Sequence, residues 1–339
     1  MKRVLVSGYI GFNNFGDEAI FYALSSHLKA LGYDVSALCG NVDEVRQKYG
    51  VEAHYFKDFK TILKEISKCD ILISGGGSLL QNKTSNFSLF YYLGIIFLAK
   101  LFNKKTIIFA QGIEPIVGKI PTEITKAILK QVDFITLRDK KSVKLLKSWG
   151  IGSVLVSDPA YSLVENVQIS NPKDGLIVQL RSFRGMNEKF ISNLALYIVK
   201  NYRGPISVFS FQDEIDEKIC LDFIEELKKH NLEAKYISNK SIQETIQIIN
   251  NAKYVISTRL HGLIISSALK SRTFGICYDE KIRTLTSELE IENIDIFDYT
   301  KEELDKKLMN FFNNPSYKQA QYRKFEWDNI DKALKRQHK

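Results

Sequence analysis

Cysteine is scarce and scattered in this 339-residue chain: Cys39, Cys69, Cys220 and Cys277, with no C-x-x-C pair among them. That pattern excludes a disulfide scaffold and has no zinc-ligand spacing; it fits four buried thiols in a reducing compartment. Proline is rare, at six residues, and no low-complexity or single-sign tract interrupts the chain. With 45% apolar and 26% charged residues, the disordered and collagen-like classes are excluded. No apolar run reaches the roughly 20 residues needed to cross a bilayer. The longest, residues 89–102, is broken only by Lys100. Met1-Lys2-Arg3 leads straight into Val4-Leu5-Val6, a strand-like start rather than a secretory signal. There is no zinc finger, RNP aromatic pair or dense basic arm, so nucleic acid is not an expected partner. The expectation is a soluble, cytoplasmic protein.

What the chain does have is a net charge of +9 and enough apolar residues for two cores. A basic balance favours anionic partners without choosing among them. Lys335, Arg336 and Lys339 read as a solvated tail, with weak contact with an anionic membrane as the alternative. The 89–102 run reads first as a core helix and second as a segment that helps approach a bilayer.

Short apolar runs alternate with amphipathic ones. The spacing predicts strands over 3–7, 34–38, 52–56, 70–74, 106–110, 134–137 and 153–156, with helices over 17–31, 42–49, 59–68, 89–102, 120–131 and 140–149. After a quieter stretch at 162–174, taken as a linker, strands recur over 175–180, 206–211, 233–237, 254–257 and 273–277. Helices between them cover 188–201, 213–229, 242–250 and 261–270, and two polar helices follow from 301. Near-continuous apolar strands separated by helices indicate parallel sheets covered on both faces. The expected fold is α/β, two Rossmann-like doubly wound domains facing across a cleft: 1–165, 175–300 and a helical tail at 301–339. Ligands of such sheets bind beyond the carboxyl ends of the strands.

Four motifs sit just there. Residues 8–18, Gly-Tyr-Ile-Gly-Phe-Asn-Asn-Phe-Gly-Asp-Glu, follow the first strand. Their glycines let backbone N–H groups approach a ligand at a helix start, although the spacing matches neither the dinucleotide fingerprint nor a Walker loop. Asp17 alone would be explained as a helix N-cap. Gly75-Gly76-Gly77-Ser78 leads into Gln81, Asn82, Thr84 and Ser85, polar side chains suited to sugar hydroxyls or an anion. Gln111-Gly112-Ile113-Glu114-Pro115 is explained equally by a simple turn, and Arg138-Asp139 by a surface ion pair. The fourth is Ser257-Thr258-Arg259-Leu260-His261-Gly262: Arg259 and His261 alternate across Leu260, so an extended chain would present both to one side. Arg offers a fork for carboxylate or phosphate, and His at a helix start can bind an anion or move a proton. Lys281, in Tyr278-Asp279-Glu280-Lys281 at the end of the next strand, would face the same crevice.

In this order and over most of the chain, roughly residues 4–285, the 8–18 loop, Gly75-Gly76-Gly77-Ser78-Leu79-Leu80-Gln81 with Thr84-Ser85, Arg259-Leu260-His261 and Tyr278-Asp279-x-Lys281 resemble the polysaccharide pyruvyl transferases, CsaB-like branch. Gly262 and Glu280 depart from the pattern, where Ala and Pro are common. The resemblance implies a GT-B-like fold with phosphoenolpyruvate at the interdomain cleft, held by Arg259, Lys281 and, on a looser match, Arg138. It implies His261 as the general acid or as a donor to the leaving phosphate. Asn13, Asn14, Asp17, Gln81, Thr84 and Ser85 would meet the acceptor, with Asp17 a candidate base. The implied acceptor is N-acetylmannosamine of a lipid-linked secondary cell-wall polysaccharide, of the kind that anchors a surface layer. The protein would then work in the cytoplasm at the inner face of the membrane. No cofactor and no metal are expected. Two other readings stand: a nucleotide-sugar glycosyltransferase, which would bind a nucleoside diphosphate, and a non-catalytic polysaccharide-binding protein, which would tolerate loss of Arg259 and His261.

Overall fold

A computed structural model of the chain describes residues 1–83, 85–183, 186, 188–320 and 323–336. The chain forms two compact units, Met1–Ser162 with Lys324–Lys339, and Leu163–Arg323.

In the first unit seven strands form one parallel sheet: β1 (Arg3–Ser7), β2 (Asp34–Cys39), β3 (Glu52–Tyr55), β4 (Ile71–Ser74), β5 (Lys105–Gln111), β6 (Phe134–Leu137) and β7 (Val154–Leu155). Their order is β3-β2-β1-β4-β5-β6-β7. The connecting helices are α1 (Phe15–Ala30), α2 (Val42–Tyr49), α3 (Phe59–Lys68), α4 (Asn86–Leu101), α5 (Lys119–Leu129) and α6 (Lys140–Ser148). Strands β4 and β5 are buried at every residue, as a sheet covered on both faces requires. Leu5, Leu72 and Ile108 of the sheet meet Leu89, Leu93 and Ile96 of α4 in one apolar cluster.

The second unit repeats the plan with β8 (Asp174–Gln179), β9 (Ile206–Phe209), β10 (Lys235–Ile237), β11 (Ala252–Ser257), β12 (Arg272–Cys277) and β13 (Glu292–Asp295). All pairings are parallel, in the order β10-β9-β8-β11-β12-β13. Its helices are α7 (Glu188–Asn201), α8 (Asp213–Lys228), α9 (Ile242–Asn251), α10 (Leu260–Ala268), α11 (Glu280–Glu288) and α12 (Lys301–Asn313). Phe190, Phe209, Phe223, Phe274 and Phe311 are among its largest fully buried side chains. Local chemistry sets the boundaries. Ser241 and Glu244 close a capping box on α9, and Gly50 in the left-handed region ends α2.

Two elements escape the periodicity. Strand β13 is short and polar, Glu-Asn-Ile-Asp, and α11 begins at Glu280, inside what reads as the end of a strand. The stretch read as a separate tail, 301–339, is instead divided between the units. Helix α12 buries Leu304, Leu308, Phe311 and Phe312 in the second unit. The last helix, α13 (Asp328–Lys335), belongs to the first. There Phe325 meets Phe109 edge-on at 5.8 Å, and Trp327 stacks on His27 at 3.8 Å. Asp331 pairs with His27 at 2.7 Å. Lys105 Nζ donates to the carbonyls of Leu334 (3.3 Å) and Arg336 (2.5 Å), satisfying oxygens that a helix end leaves open. Arg336, read as part of a solvated tail, lies over the Phe134 ring at 5.5 Å. Burial of Phe325 predicts that Phe325→Ala destabilises the protein by about 3–5 kcal/mol, measured by urea unfolding.

Candidate active site

In a doubly wound sheet the ligand crevice opens where neighbouring strands send their connections to opposite sides. In the first unit that pair is β1 and β4. The chain leaving β1 is the 8–14 loop and the chain leaving β4 is the 75–81 loop, so the first two motifs meet at one point. Gly75 N donates to Ser7 O at 2.7 Å. A Cβ on Gly76 would strike Ile20, and one on Gly77 would strike the Asp17 carboxylate; Gly77 also has φ +89°. These glycines let α1 settle on the β4 loop.

The 8–14 loop is moulded by Glu18. Its Oε1 accepts from Gly11 N at 2.7 Å and Phe12 N at 3.3 Å, and the Tyr49 hydroxyl donates to Oε2. Burial pushes the Glu18 carboxyl above its ordinary value, against the pull of the Tyr49 and backbone donors. Asn13 adopts the left-handed region, φ 55°. Asn14, not Asp17, caps α1: its Oδ1 accepts from Gly16 N at 3.1 Å. The helix therefore starts at Phe15, and Asp17, expected at the cap, sits inside the first turn against Gly77. Asn13, Asn14 and Asp17 are all half-buried here, at a helix N-terminus.

Of the other residues expected on the acceptor side, Gln81 accepts from Lys83 N at 2.7 Å and exposed Ser85 caps α4, accepting from Phe87 N at 3.0 Å. Thr84 lies outside the described residues. Gln111 is buried and donates to Ser74 Oγ (2.8 Å) and Gly75 O (2.7 Å), so the turn after β5 braces the β4 loop. Arg138 does not form the expected surface pair with Asp139. Its Nη1 pairs with buried Asp158 at 2.6 Å and its Nη2 donates to Ser78 Oγ at 3.3 Å, while Asp139 caps α6. Asp158 is buried and Arg138 half-buried, which the neighbouring letters of the sequence cannot reveal.

In the second unit the switch lies between β8 and β11. Gln179, the buried last residue of β8, organises it. Gln179 Oε1 accepts from Ser257 Oγ at 2.7 Å and Arg259 N at 2.9 Å. A Cβ on Gly262 would collide with Ser257 Oγ, which accounts for the departure to glycine there. Arg259 is extended, but α10 begins at Leu260, so the alternation expected across Leu260 is replaced by a helical turn. The Arg259 side chain runs to Asp216 of α8: Nε at 3.1 Å and Nη2 at 2.7 and 2.8 Å, both groups buried. No hydrogen bond of Nη1 occurs among the described residues. Burial pushes the Asp216 carboxyl up, outweighing the Arg259 guanidinium that pulls it down.

His261 stands in the first turn of α10, half-buried, with Nε2 shielded from solvent. Lys281 is not at a strand end: β12 stops at Cys277, Asp279 caps α11, and Lys281 lies in its first turn with Nζ 3.4 Å from Asp279. Three cationic or titratable side chains expected for the donor, Arg259, His261 and Lys281, thus stand on loops or first turns after β11 and β12. Arg138 stands after β6 in the first unit.

Sequence reasoning missed Arg181, which leaves β8 two residues after Gln179. Its Nη1 donates to the Tyr278 hydroxyl at 2.9 Å, and Phe183 stacks on Tyr278 at 4.3 Å. Its Nε is buried with no hydrogen-bond partner among the described residues. Its position beyond a strand at the switch point was the signal that could have found it. Asp216 gave no such signal, since it is one acid among several on a charged helix.

Among the described residues one group has ligand atoms close enough to hold a metal ion: Glu52, His54 and Glu65, within 4.8 Å of one another. It lies at the amino end of the first sheet. Arg3, 3.1 Å from Glu52 and 3.7 Å from Glu65, and Lys68, 3.0 Å from Glu65, already supply the positive charge.

The Glu18 hub generates a prediction. Gln keeps an acceptor for Gly11 N and a partner for Tyr49, so Glu18→Gln should fold with near-wild-type stability. Glu18→Leu strands buried donors and should lose about 2–4 kcal/mol. Because the folded-state value lies above the ordinary 4.5, folding carries a cost once Glu18 ionises. Stability should therefore rise as pH falls from neutral towards 4.5, and Glu18→Gln should remove that component in denaturant titrations.

Comparison with known proteins places this geometry. The UDP-GlcNAc 2-epimerase from Methanocaldococcus jannaschii matches at 13% identity with TM-score 0.66, over 98% of each chain. The UDP-GlcNAc 2-epimerase from Neisseria meningitidis bound to UDP-GlcNAc matches at 12% identity with TM-score 0.64, over 94% of this chain and 93% of that one. A glycosyltransferase from Rickettsia africae matches at 15% identity with TM-score 0.58, over 92% and 88%. At such identities these similarities show the fold alone, two α/β units of the GT-B type. No curated protein matches the chain. The family model described as polysaccharide pyruvyl transferase matches residues 14–280, from the end of the 8–18 loop to Glu280, and the chain belongs to that family.

Proposed function

We infer that this pyruvyl transferase takes phosphoenolpyruvate as donor and closes a pyruvate ketal on a sugar diol, releasing phosphate. The observation that carries the reading is the grouping of cations beyond the second sheet, with Arg181 after β8, Arg259 after β11 and Lys281 after β12, in a chain of this family. Phosphoenolpyruvate presents a carboxylate and a phosphate, which call for convergent guanidinium and ammonium donors. Asp216 acts as a positioning residue by holding one edge of the Arg259 fork.

The reaction balances without an external reagent. A proton adds to the methylene carbon, making it the methyl group and leaving the neighbouring carbon electron-deficient. One sugar hydroxyl attacks that carbon, the carbon–oxygen bond to phosphate breaks, and a second hydroxyl closes the ketal. Of the two hydroxyl protons released, one replaces that given to the methylene and the other leaves with phosphate. His261 is the candidate acid or the donor to the leaving phosphate, and Asp17 the candidate base. Asn13, Asn14, Gln81, Thr84 and Ser85 are the candidate acceptor contacts, and Arg138 a further donor-side residue. The acceptor is N-acetylmannosamine of a lipid-linked secondary cell-wall polysaccharide, and the protein works at the cytoplasmic face of the membrane.

The test is phosphate release from phosphoenolpyruvate with a lipid-linked N-acetylmannosamine disaccharide. Wild type should release phosphate only with acceptor, with a pyruvyl mass increase on the sugar. His261→Ala should reduce the rate by about 10²–10⁴-fold. No release, together with tight binding of a nucleoside diphosphate, would overturn the reading in favour of a glycosyltransferase.

A further inference from the structure

Helix α4 is apolar on every side. Its inner face, including Leu89, Tyr92, Leu93 and Ile96, is buried in the first unit's core. Its outer face carries Phe87, Phe90, Phe97 and Leu101, spaced three and four residues apart around Gly94, which aligns them in one stripe. A surface helix ordinarily sets polar residues there, yet no charge occurs in α4 before Lys100. Phe87 is 73% exposed and Leu101 65%. Among the described residues nothing comes within 4 Å of a Cβ built on Gly94, so the middle of the stripe is open as well.

Helix α5 packs beside α4 and adds Ile120, 73% exposed, and Ile124 one turn on. Val117, also exposed, is tied to the foot of α4 by two hydrogen bonds of 2.8 Å with Asn82. Of the seventeen exposed large apolar side chains among the described residues, eight fall within residues 87–124. Scattered exposure needs no explanation, but this concentration does.

The charge around it selects the occupant. Residues 81–130 carry seven lysines and two glutamates; Lys105 is buried and Lys83, Lys100 and Lys126 pair with Glu114, Asp133 and Glu123, which leaves Lys104, Lys119 and Lys130 outside any ion pair among the described residues. A second copy seated on the same face would set those lysines against each other. An anionic bilayer would instead take the aromatic side chains at the headgroup boundary and the lysines at its phosphates. Sixteen residues of α4 span about 24 Å, short of the roughly 30 Å hydrocarbon core. No helix of the described residues is long and apolar enough to cross a membrane. The contact is therefore one of lying on the surface.

We propose that the outer face of α4, with α5 beside it, seats the protein on an anionic lipid bilayer. The docking stands independently of the pyruvyl-transfer chemistry, and it would bring Gln81, Asn82 and Ser85 at the foot of α4 to the headgroups.

The test is flotation of the full chain with vesicles of phosphatidylcholine alone and of phosphatidylcholine mixed with phosphatidylglycerol. Wild type should float with the mixed vesicles only, and less as salt rises. The double substitution Phe87→Ser, Ile120→Ser should weaken partitioning about tenfold or more, with an unchanged melting temperature because both side chains are exposed. Lys119→Glu should weaken it about fivefold or more. Failure of wild type to float, equal flotation of the double variant, or a dimer in sedimentation that the double substitution dissociates would overturn the proposal. Phosphate release measured on the same preparation reports the chemistry separately.

Discussion

A parallel sheet buried on both faces has few places to keep polar machinery. Its faces are committed to helices, as the fully buried β4 and β5 show, so loops that must meet a ligand gather at the carboxyl ends of the strands. Each unit obeys this constraint at the one point where its connections diverge, β1 beside β4 and β8 beside β11. At the first, glycine is chosen because α1 would otherwise collide with the β4 loop. At the second, one buried amide, Gln179, fixes the start of the loop that carries Arg259.

The Arg259–Asp216 pair follows from that placement. Taking both charges out of water costs several kcal/mol per ion before their attraction repays it, and the upward push on Asp216 shows desolvation prevailing over the guanidinium. A pair of this kind is a weak device for stability and a strong one for orientation: Nε and Nη2 are fixed on Asp216, which sets the direction of the remaining edge of the fork. Under the proposed function that rigidity lets an arginine read the geometry of a carboxylate or phosphate rather than only its charge.

Much of this plan was legible in the sequence. Periodicity located most of the strands and helices, because buried parallel strands and amphipathic helices write strong signals, and the loops with chemistry followed from strand ends. What escaped depends on contacts distant in sequence. Asn14 takes the cap expected of Asp17, and the difference is one of backbone conformation three residues earlier. Asp158 takes Arg138 from twenty residues away, and Asp216 takes Arg259 from forty-three. Helix α13 is amphipathic and charged, so nothing local distinguishes it from a solvated tail; its docking rests on Phe325, Trp327 and the reach of Lys105. Helix α4 shows the converse: its sequence reads as a core helix, and only the structure separates the buried face from the exposed one.

The central claim is that the cations beyond β8, β11 and β12 form a site for phosphoenolpyruvate, and calorimetric titration of phosphoenolpyruvate into the folded protein tests it most directly. The account predicts saturable binding that Arg181→Ala and Lys281→Ala each weaken about tenfold or more, with no competition from a nucleoside diphosphate. Affinity unchanged by both substitutions, or displacement of phosphoenolpyruvate by the nucleotide, would contradict it.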